Sequence, residues 1–316
     1  MKYCLMGLVL LATTAFARTP EEKKALLEAQ TSCSNFVRFD DNYLYQGYGP
    51  YKLMFEEPRN PIPSKFTITS FETKETKTLQ TVDSAIDIVV DQNHAFVLTY
   101  SMVEEWDLAT MQKVADHPTH LQTAVTYKEH AESFARYQNE MIIAHGSMGV
   151  SFFDLKTKKI TGTLDLVKSQ APLESQATAV AIIGKLAYVT MDSLSLVNQA
   201  PYPFTGIVVI DMEKHKVVSE LSNMDVGSDA VAAFGNKLVV SFYGFPIWKY
   251  DASLFKGKKL PNPQTRLFRM PYPGHPVGAA EMDEKYYYSC YRFSQTEDQA
   301  AAVKPMALNR KVLLLD

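Results

Sequence analysis

Short apolar segments recur along most of the chain, separated by polar turns. Each unit begins with a strand of small and apolar residues, turns through Asn, Gly or Asp, and continues with an aliphatic or aromatic strand. A variable loop follows, and a third apolar strand ends in an acidic residue before a Lys/Thr-rich turn. Short strands with turn signals about every 8–12 residues are typical of all-β folds. Because no amphipathic helical segment separates the strands, a parallel α/β sheet is not expected.

Six units are recognised by this pattern. The four clearest begin with the strands Ala85–Val90, Ser133–Tyr137, Ala177–Ile182 and Asp229–Ala233, and weaker units begin at Phe36 and Val277. The acidic residues that end the third strands are Glu72, Asp107, Asp154, Asp211, Asp251 and Asp316. Their spacings of 35 to 65 residues are near the repeat of ~40–50 residues found in propeller blades, lengthened by loops. We expect the terminal acid to accept hydrogen bonds from the amides of the following turn.

The unit resembles the YVTN-type β-propeller repeat, most clearly in Leu186–Thr190 followed by Ile207–Asp211. The resemblance extends over about Phe36 to Asp316 and implies a ring of small sheets around a central axis. That superfamily includes lactonase-like enzymes, subunits associated with quinoproteins and exported binding proteins, so the resemblance implies the fold more than the activity. We predict an all-β chain with one propeller over residues 35–316, containing six units, and leave a degenerate seventh unit open.

The first residues have the pattern of an export signal. Lys2 gives a positive start, Leu5–Ala12 is apolar, and Ala15–Ala17 is a small-x-small cleavage site. The apolar stretch is shorter than the ~20 residues needed to cross a bilayer. We therefore predict a signal peptide at residues 1–17, a short helix and linker at 18–34, export to the periplasm or the exterior, and no transmembrane span.

Cleavage of that signal would remove Cys4 and leave two cysteines. In an oxidising compartment an even pair predicts a disulfide, although two buried free thiols are the alternative. Cys33 directly precedes the first strand of the first unit, and Cys290 ends the second strand of the last unit. A closed ring brings these units together, so we predict a Cys33–Cys290 bridge at the point where the ring closes.

The loops between second and third strands, with the connections between units, are rich in aromatic residues. A ring of Tyr and Phe with a few charges suits a peptide, glycan or protein partner. Loops that simply pack on one another are the alternative. The candidate binding residues are Tyr48, Tyr51, Tyr100, His145, Tyr243 and Arg292.

A metal site is a more specific hypothesis for the same face than the binding of a partner. The residues that could converge near the axis are His130, Glu132, His145, Asp229 and His275. They show no short ligand spacing within one element, although ligands in a propeller need not be adjacent in sequence. No cofactor is predicted, and a divalent metal is left open.

Composition narrows the function only in part. The 316 residues carry a formal net charge of −3, with 46% hydrophobic and 21% charged residues, so neither a disordered chain nor a nucleic-acid partner is expected. No G-x-S-x-G, phosphate-binding loop or G-x-G-x-x-G motif occurs. The first hypothesis is an exported, non-enzymatic propeller that binds a protein, peptide or envelope polymer. The alternatives are a lactonase or hydrolase, metal-assisted or not, and an accessory subunit of a periplasmic redox enzyme.

Overall fold

The computed structural model describes residues 35–49, 64–100, 102–119, 131–166, 175–193, 206–222, 228–242, 246–258, 261, 265–269, 276–282, 285–290 and 310–312. These residues form 23 β-strands and one 3-10 turn, at Ala252–Leu254. Within the described residues no helix is long and apolar enough to cross a membrane.

The strands group into six sheets in chain order. Blade 1 comprises β1 (Phe36–Phe39), β2 (Tyr43–Tyr48), β3 (Lys65–Ser70) and β4 (Thr76–Gln80). Blade 2 comprises β5 (Asp87–Asp91), β6 (His94–Leu98), β7 (Met102–Asp107) and β8 (Gln112–Pro118). Blade 3 comprises β9 (Ser133–Tyr137), β10 (Glu140–Ala144), β11 (Val150–Asp154) and β12 (Lys159–Leu164).

The second half of the chain repeats this arrangement. Blade 4 comprises β13 (Ser175–Ile183), β14 (Leu186–Ser193), β15 (Gly206–Asp211) and β16 (Lys216–Ser222). Blade 5 comprises β17 (Ser228–Phe234), β18 (Lys237–Phe242), β19 (Pro246–Asp251) and β20 (Thr265–Arg269). The last sheet has three strands among the described residues, β21 (Pro276–Met282), β22 (Lys285–Cys290) and β23 (Arg310–Val312).

Every sheet is an antiparallel meander in which consecutive strands pair. The first strand of each sheet contacts the first strand of the next, from β1 through β5, β9, β13 and β17 to β21, and β21 contacts β1. The sheets therefore surround a central axis with their first strands innermost, which is the architecture of a β-propeller. The predicted all-β propeller is confirmed at this level.

The predicted number of blades and the predicted bounds of the strands are tested only in part. Five blades are complete, whereas a complete sixth blade and a seventh unit remain predictions. The predicted bounds of the strand Ser133–Tyr137 are those of β9. The described part of the final strand is β23, Arg310–Val312, and residues 313–316, with the predicted terminal acid Asp316, lie outside the described residues. The predicted signal peptide and the helix or linker at 18–34 also lie outside them.

Four apolar clusters hold neighbouring blades together. Between blades 2 and 3, Phe96, Leu98 and Val103 pack against Met141 and Phe153. Corresponding clusters lie between blades 1 and 2, blades 3 and 4, and blades 4 and 5. Since successive side chains of a strand point to opposite faces, the middle strands must be apolar on both. This is why they read as continuous apolar runs, each fully buried aliphatic side chain contributing ~1.5–3 kcal/mol.

Two adjacent carboxylates interrupt this apolar pattern in β7. Glu104 is fully buried and accepts hydrogen bonds from the amide of Val82 at 2.7 Å and the indole of Trp106 at 3.0 Å. Glu105 is 6% exposed and pairs with Lys158 of blade 3 at 3.0 Å and with His117 at 2.9 Å. Burial opposes ionisation of Glu105, but the hydrogen bonds and charges of His117 and Lys158 prevail and lower its pKa.

The residue that ends each third strand caps the turn that follows. Oδ1 of Asp154 accepts from the amide of Thr157 at 2.6 Å, and Oδ1 of Asp211 accepts from Glu213 at 3.0 Å. Equivalent bonds are made by Asp107 and Asp251. The expected role of the terminal acid is confirmed at these four positions.

The first unit requires a correction. The cap there is not the predicted Glu72, because β3 ends two residues earlier, at Ser70. Oγ of Ser70 accepts hydrogen bonds from the amides of Glu72 at 3.1 Å and Thr73 at 3.2 Å. A short hydroxyl side chain can serve where the other blades use Asp, since either supplies an acceptor two or three residues before the amide.

In blades 1 to 4 the residue four positions after the cap has a left-handed backbone, whereas in blade 5 that residue, Phe255, has a φ of −77°. The left-handed residues are Lys74, Met111, Lys158 and His215, with φ between 49° and 61°. From blade 4, His215 stacks on Phe152 of blade 3 at a centroid distance of 3.9 Å and contacts Glu140 at 2.7 Å. From blade 3, Lys158 lies 4.2 Å over the ring of Phe96 in blade 2. From blade 2, Met111 packs on the cluster shared with blade 1. In blades 2 to 4 the turn thus reaches back to the preceding blade, and we call the side chains of Met111, Lys158 and His215 turn latches.

The outer strands of blades 2 to 4 share a β-bulge at the same register position, and the outer strand of blade 5 has a bulge two residues further from its capping Asp. In blades 2 and 4 the bulged residues are Val114 and Val218, which are each 53% exposed. A bulge on an edge strand disrupts the row of unpaired amides that another chain would otherwise pair with. The bulge explains why these two valines face solvent.

Candidate functional site at the upper face

The meander gives the ring two different ends. The loops between second and third strands and the connections between blades lie at one end, which we call the upper face. The hairpin turns lie at the other end, the lower face. There the latch of blade 4, His215, contacts Glu140 at the start of the second strand of blade 3, and the latch of blade 3, Lys158, lies over Phe96 in the second strand of blade 2. Loops raised on a rigid scaffold are where binding residues concentrate.

Main-chain hydrogen bonds join neighbouring blades along the upper rim. The carbonyl of Tyr48 in blade 1 accepts from the amide of Ala85 at 3.2 Å, and the carbonyl of Tyr100 in blade 2 accepts from Ala131 at 3.0 Å. In blade 3, Gly146 exchanges two such bonds with Ala177, at 3.0 and 2.8 Å. The second strand of each of these blades is therefore tied to the entry of the next, independently of side-chain identity.

The described side chains among the predicted binding residues point into the protein. Tyr48 is 8% exposed, Tyr100 is 1% exposed, and His145 is 2% exposed. Nε2 of His145 lies 2.6 Å from Oγ of Ser151. These residues act as packing and positioning groups beneath the rim, and ligand contact by them remains a prediction. Tyr51, Tyr243 and Arg292 lie outside the residues whose side chains are described.

The predicted metal ligands are described only in part. Glu132 and His145 belong to blade 3, where the amide of Glu132 donates to the carbonyl of Ala144 at 2.9 Å. His130 and His275 lie outside the described residues, and Asp229 is described only as part of β17. Within the part of the chain that is described, no group of three or more His, Cys, Asp or Glu side chains converges to hold a metal ion. The five-residue metal set therefore stays a prediction.

A polar network at the upper end of the innermost strands was not predicted. Nη2 of Arg38, on β1, lies 2.9 Å from Oδ1 of Asp87, on β5. Oγ of Ser133, on β9, donates to Oδ2 of Asp87 at 3.3 Å and accepts from the amide of Val180, on β13, at 3.4 Å. One chain of hydrogen bonds thus crosses the first strands of four consecutive blades.

Asp87 is the centre of this network and is 3% exposed. Burial raises the pKa of Asp87, although Arg38, the amides of Ile88 and Phe134, and Ser133 act in the opposite direction. With its oxygens held by these donors, the carboxylate satisfies inward-facing amides of neighbouring strands and is not presented to a ligand. A charged residue inside the apolar segment Ala85–Val90 was the sequence signal that could have identified it.

Comparisons with known proteins support no family assignment. No protein-family model matches the sequence, and no curated protein is significantly similar to it. Among solved structures, the chain is similar to the computationally designed Ika8 protein, with a TM-score of 0.47 and 10% identity over 83% of this chain and 81% of that chain. It is also similar to BamB from Moraxella catarrhalis, with a TM-score of 0.48 and 10% identity over 80% of each chain. At 10% identity these similarities concern only the path of the main chain. The assignment of the fold rests on the sheet topology described above.

Proposed function

We propose that this chain is an exported, non-enzymatic β-propeller that binds a protein, peptide or envelope polymer through its upper face. The proposal rests on a difference between the two ends of the ring. The intervals between third and fourth strands on the lower face have one length in blades 2, 3 and 4, at residues 108–111, 155–158 and 212–215, and a similar length in blade 1, at 71–75; the interval of blade 5 is longer, at 252–264. The intervals between second and third strands on the upper face differ more from blade to blade, from 99–101 in blade 2 to 49–64 in blade 1 and 291–309 in the last sheet.

Variation of this kind is the signature of a binding face on a repeat scaffold. In blades 2 to 4 the lower turns share a cap and a latch, so the residues of these three turns help to hold the ring together. The upper rim is held by main-chain hydrogen bonds, so loop sequence can change without loss of the scaffold. The aromatic residues predicted for those loops would supply the large, rigid contact surfaces that dominate binding energy.

The experiment compares capture of envelope components by the full chain and by two variants. The upper-face variant is Y51A/Y243A/R292A, and the lower-face control is K74Q/K77Q in blade 1. We expect one set of components to be retained by the unmodified protein and the control but lost by the upper-face variant. Direct titration of the purified component with the same three proteins then measures the affinity.

The alternative functions predict different results. Retention of the same components by Y51A/Y243A/R292A would contradict binding through the upper face. Turnover of a lactone or ester by the purified protein, abolished by a chelator, would replace the proposal with the metal-assisted hydrolase. Co-purification with a redox enzyme, dependent on the same three residues, would identify the component as that enzyme and support the accessory-subunit hypothesis.

A further inference from the structure

The lower face of blades 3, 4 and 5 carries a row of lysines that are distant in sequence. In each blade the residue five positions after the capping Asp is lysine, at Lys159, Lys216 and Lys256. In blades 1 and 2 the same position holds Glu75 and Gln112. All three lysines are exposed and make no ion pair within the described part of the chain. We call the set formed by Lys156, Lys159, Lys214, Lys216, Lys256 and Lys258 the lysine ridge.

Contacts between blades make the ridge one continuous surface. His215, beside two ridge lysines in blade 4, contacts Glu140 and stacks on Phe152 of blade 3. Oγ of Ser219, in blade 4, donates to the carbonyl of Gly257 in blade 5 at 2.7 Å. Gly257 lies between Lys256 and Lys258, so the three turns follow one another along the rim.

Charge is distributed unevenly around the lower face. The capping aspartates of blades 3 to 5 are engaged by turn amides, and Glu213 pairs with Lys185 at 2.8 Å. The same end of blade 1 carries four exposed acids. These are Asp40, Asp41, Glu72 and Glu75. Asp211 and Asp251 also pair with Lys214 and Lys237, so lysines outnumber acids in the sector of blades 3 to 5 although the formal net charge of the chain is −3.

We propose that the lysine ridge docks this propeller on an anionic phospholipid surface. The ridge consists of convex turns and has no exposed Trp, Tyr or Arg among its described residues, whereas these residues dominate protein–protein hot spots and lysine is depleted there. Clustered lysines are instead the feature that anionic lipid headgroups attract. An exposed leucine, Leu254, lies in the same turn as Lys256 and is 48% exposed, so it can enter the interfacial layer.

This arrangement leaves the upper face free. A membrane bound at the lower end contacts the turns, and the upper loops at the opposite end of the ring remain accessible to a partner. The proposal does not depend on the identity of that partner or on the proposed function, since the residues involved are on the opposite face.

The test is co-sedimentation of the purified full chain with two kinds of vesicles. One contains about one-third anionic phospholipid and the other only zwitterionic phospholipid. We expect binding to the anionic vesicles alone, and loss of binding at high salt because screening shortens the reach of the lysine charges. Each lysine near an anionic surface contributes about fivefold in affinity, so K216Q/K256Q should weaken binding by about 25-fold. The matched control, K74Q/K77Q, removes two exposed lysines from blade 1 and should bind like the unmodified protein.

Three results would overturn the proposal. Equal binding to both kinds of vesicles would remove the role of charge. Equal loss in K216Q/K256Q and K74Q/K77Q would remove the role of the ridge. No vesicle binding, with ridge-dependent binding of poly-glutamate, would assign the ridge to an acidic protein instead. Unchanged circular dichroism spectra and melting temperatures of both variants ensure that any loss is not a loss of folding.

Discussion

At the scale of single residues, this fold is most demanding where two blades meet. Gly47, on β2, illustrates the point. A Cβ added there would overlap the ring of Phe36 and would lie 2.6 Å from the carbonyl oxygen of Ala85 in blade 2. Glycine is required by this close approach, since the position faces the cluster between blades 1 and 2.

Substitution of this glycine measures the tightness of the interface. We expect G47A to lower the free energy of unfolding by about 1–3 kcal/mol, because a methyl group cannot be added without displacing Phe36 or the main chain. The control is G162A on β12, where the nearest atom, on Phe152, is 3.8 Å from the added Cβ. Denaturant unfolding of both variants gives the comparison, and equal losses would show that the cost comes from alanine itself.

The environment of Glu105 leads to a second prediction about stability. Its ion pair with Lys158 joins blades 2 and 3 and is almost fully buried on the Glu side. We expect E105Q to destabilise the protein by about 1–3 kcal/mol, as for hydrogen bonds to charged groups. The half-exposed pair of Glu213 with Lys185 provides the control, since solvent screens this pair and E213Q should change stability much less than E105Q.

The effect of E105Q should also depend on pH. The pKa of Glu105 is lower in the folded protein than its ordinary value of 4.5, so the unfolded chain binds the proton more readily. The stabilisation is therefore present above about pH 4.5 and is lost as the pH falls through the folded pKa. Unfolding of the unmodified protein and E105Q at pH 7 and in acid should give a smaller difference in acid. A difference that does not shrink would mean that the carboxylate charge is not the cause.

At the scale of elements, the same turn is used repeatedly but is filled with different side chains. A cap at the end of the third strand is followed four residues later by a left-handed residue that reaches the preceding blade. The side chain is methionine on an apolar cluster, lysine on a carboxylate and a ring, or histidine on a carboxylate and a ring. The backbone conformation of the turn is thus shared, whereas the side-chain contact with the preceding blade differs from blade to blade.

The latch of blade 4 can be tested by truncation. We expect H215A to cost about 1–2 kcal/mol, through the loss of stacking on Phe152 and the pair with Glu140. The neighbouring K214A is the control, because Lys214 is largely exposed. Thermal or denaturant unfolding measures both. H215G removes the side chain and the strain of a positive φ together, so it should be less destabilising than H215A if that strain is significant.

Prediction from sequence succeeded where local patterns decide the structure. The alternation of apolar runs and turn residues located the strands, and the acids at strand ends located four of the caps. Ser70 was missed because the first unit has no acid at that position. The Arg38–Asp87 pair, the attachments of Glu104 and Glu105 and the lysine ridge were also missed. The Arg38–Asp87 and Glu105–Lys158 pairs and the lysine ridge involve residues of different blades, and a repeat pattern does not specify which side chains of adjacent units meet.

At the scale of the whole molecule, the ring closes between blade 1 and the last sheet. The first strand of blade 1 contacts both β21 and β22 of the last sheet. Cys290 is the last residue of β22, and β1 begins three residues after Cys33. Such an arrangement is what the predicted bridge requires, although Cys33 lies outside the described residues.

The bridge has a direct test. Non-reducing peptide mapping of the purified protein should recover Cys33 and Cys290 in one linked pair. Because the bridge would close a loop of nearly the whole propeller, C290S should lose up to about 4–5 kcal/mol relative to the oxidised protein. Under reducing conditions the two proteins should be equally stable. Recovery of both cysteines as free thiols would exclude the bridge.

The turn latches also give the ring a direction. Each described latch belongs to one blade and contacts the blade before it in the chain, so blade 3 contacts blade 2 and blade 4 contacts blade 3 through these side chains. If the last blades were removed, every remaining latch would keep its contact with the preceding blade. If the first blade were removed, the latch of blade 2 would lose the surface on which it packs. During synthesis from the N-terminus, every newly completed turn would find its docking surface already formed, so this ring is suited to assembly in the order in which it is translated.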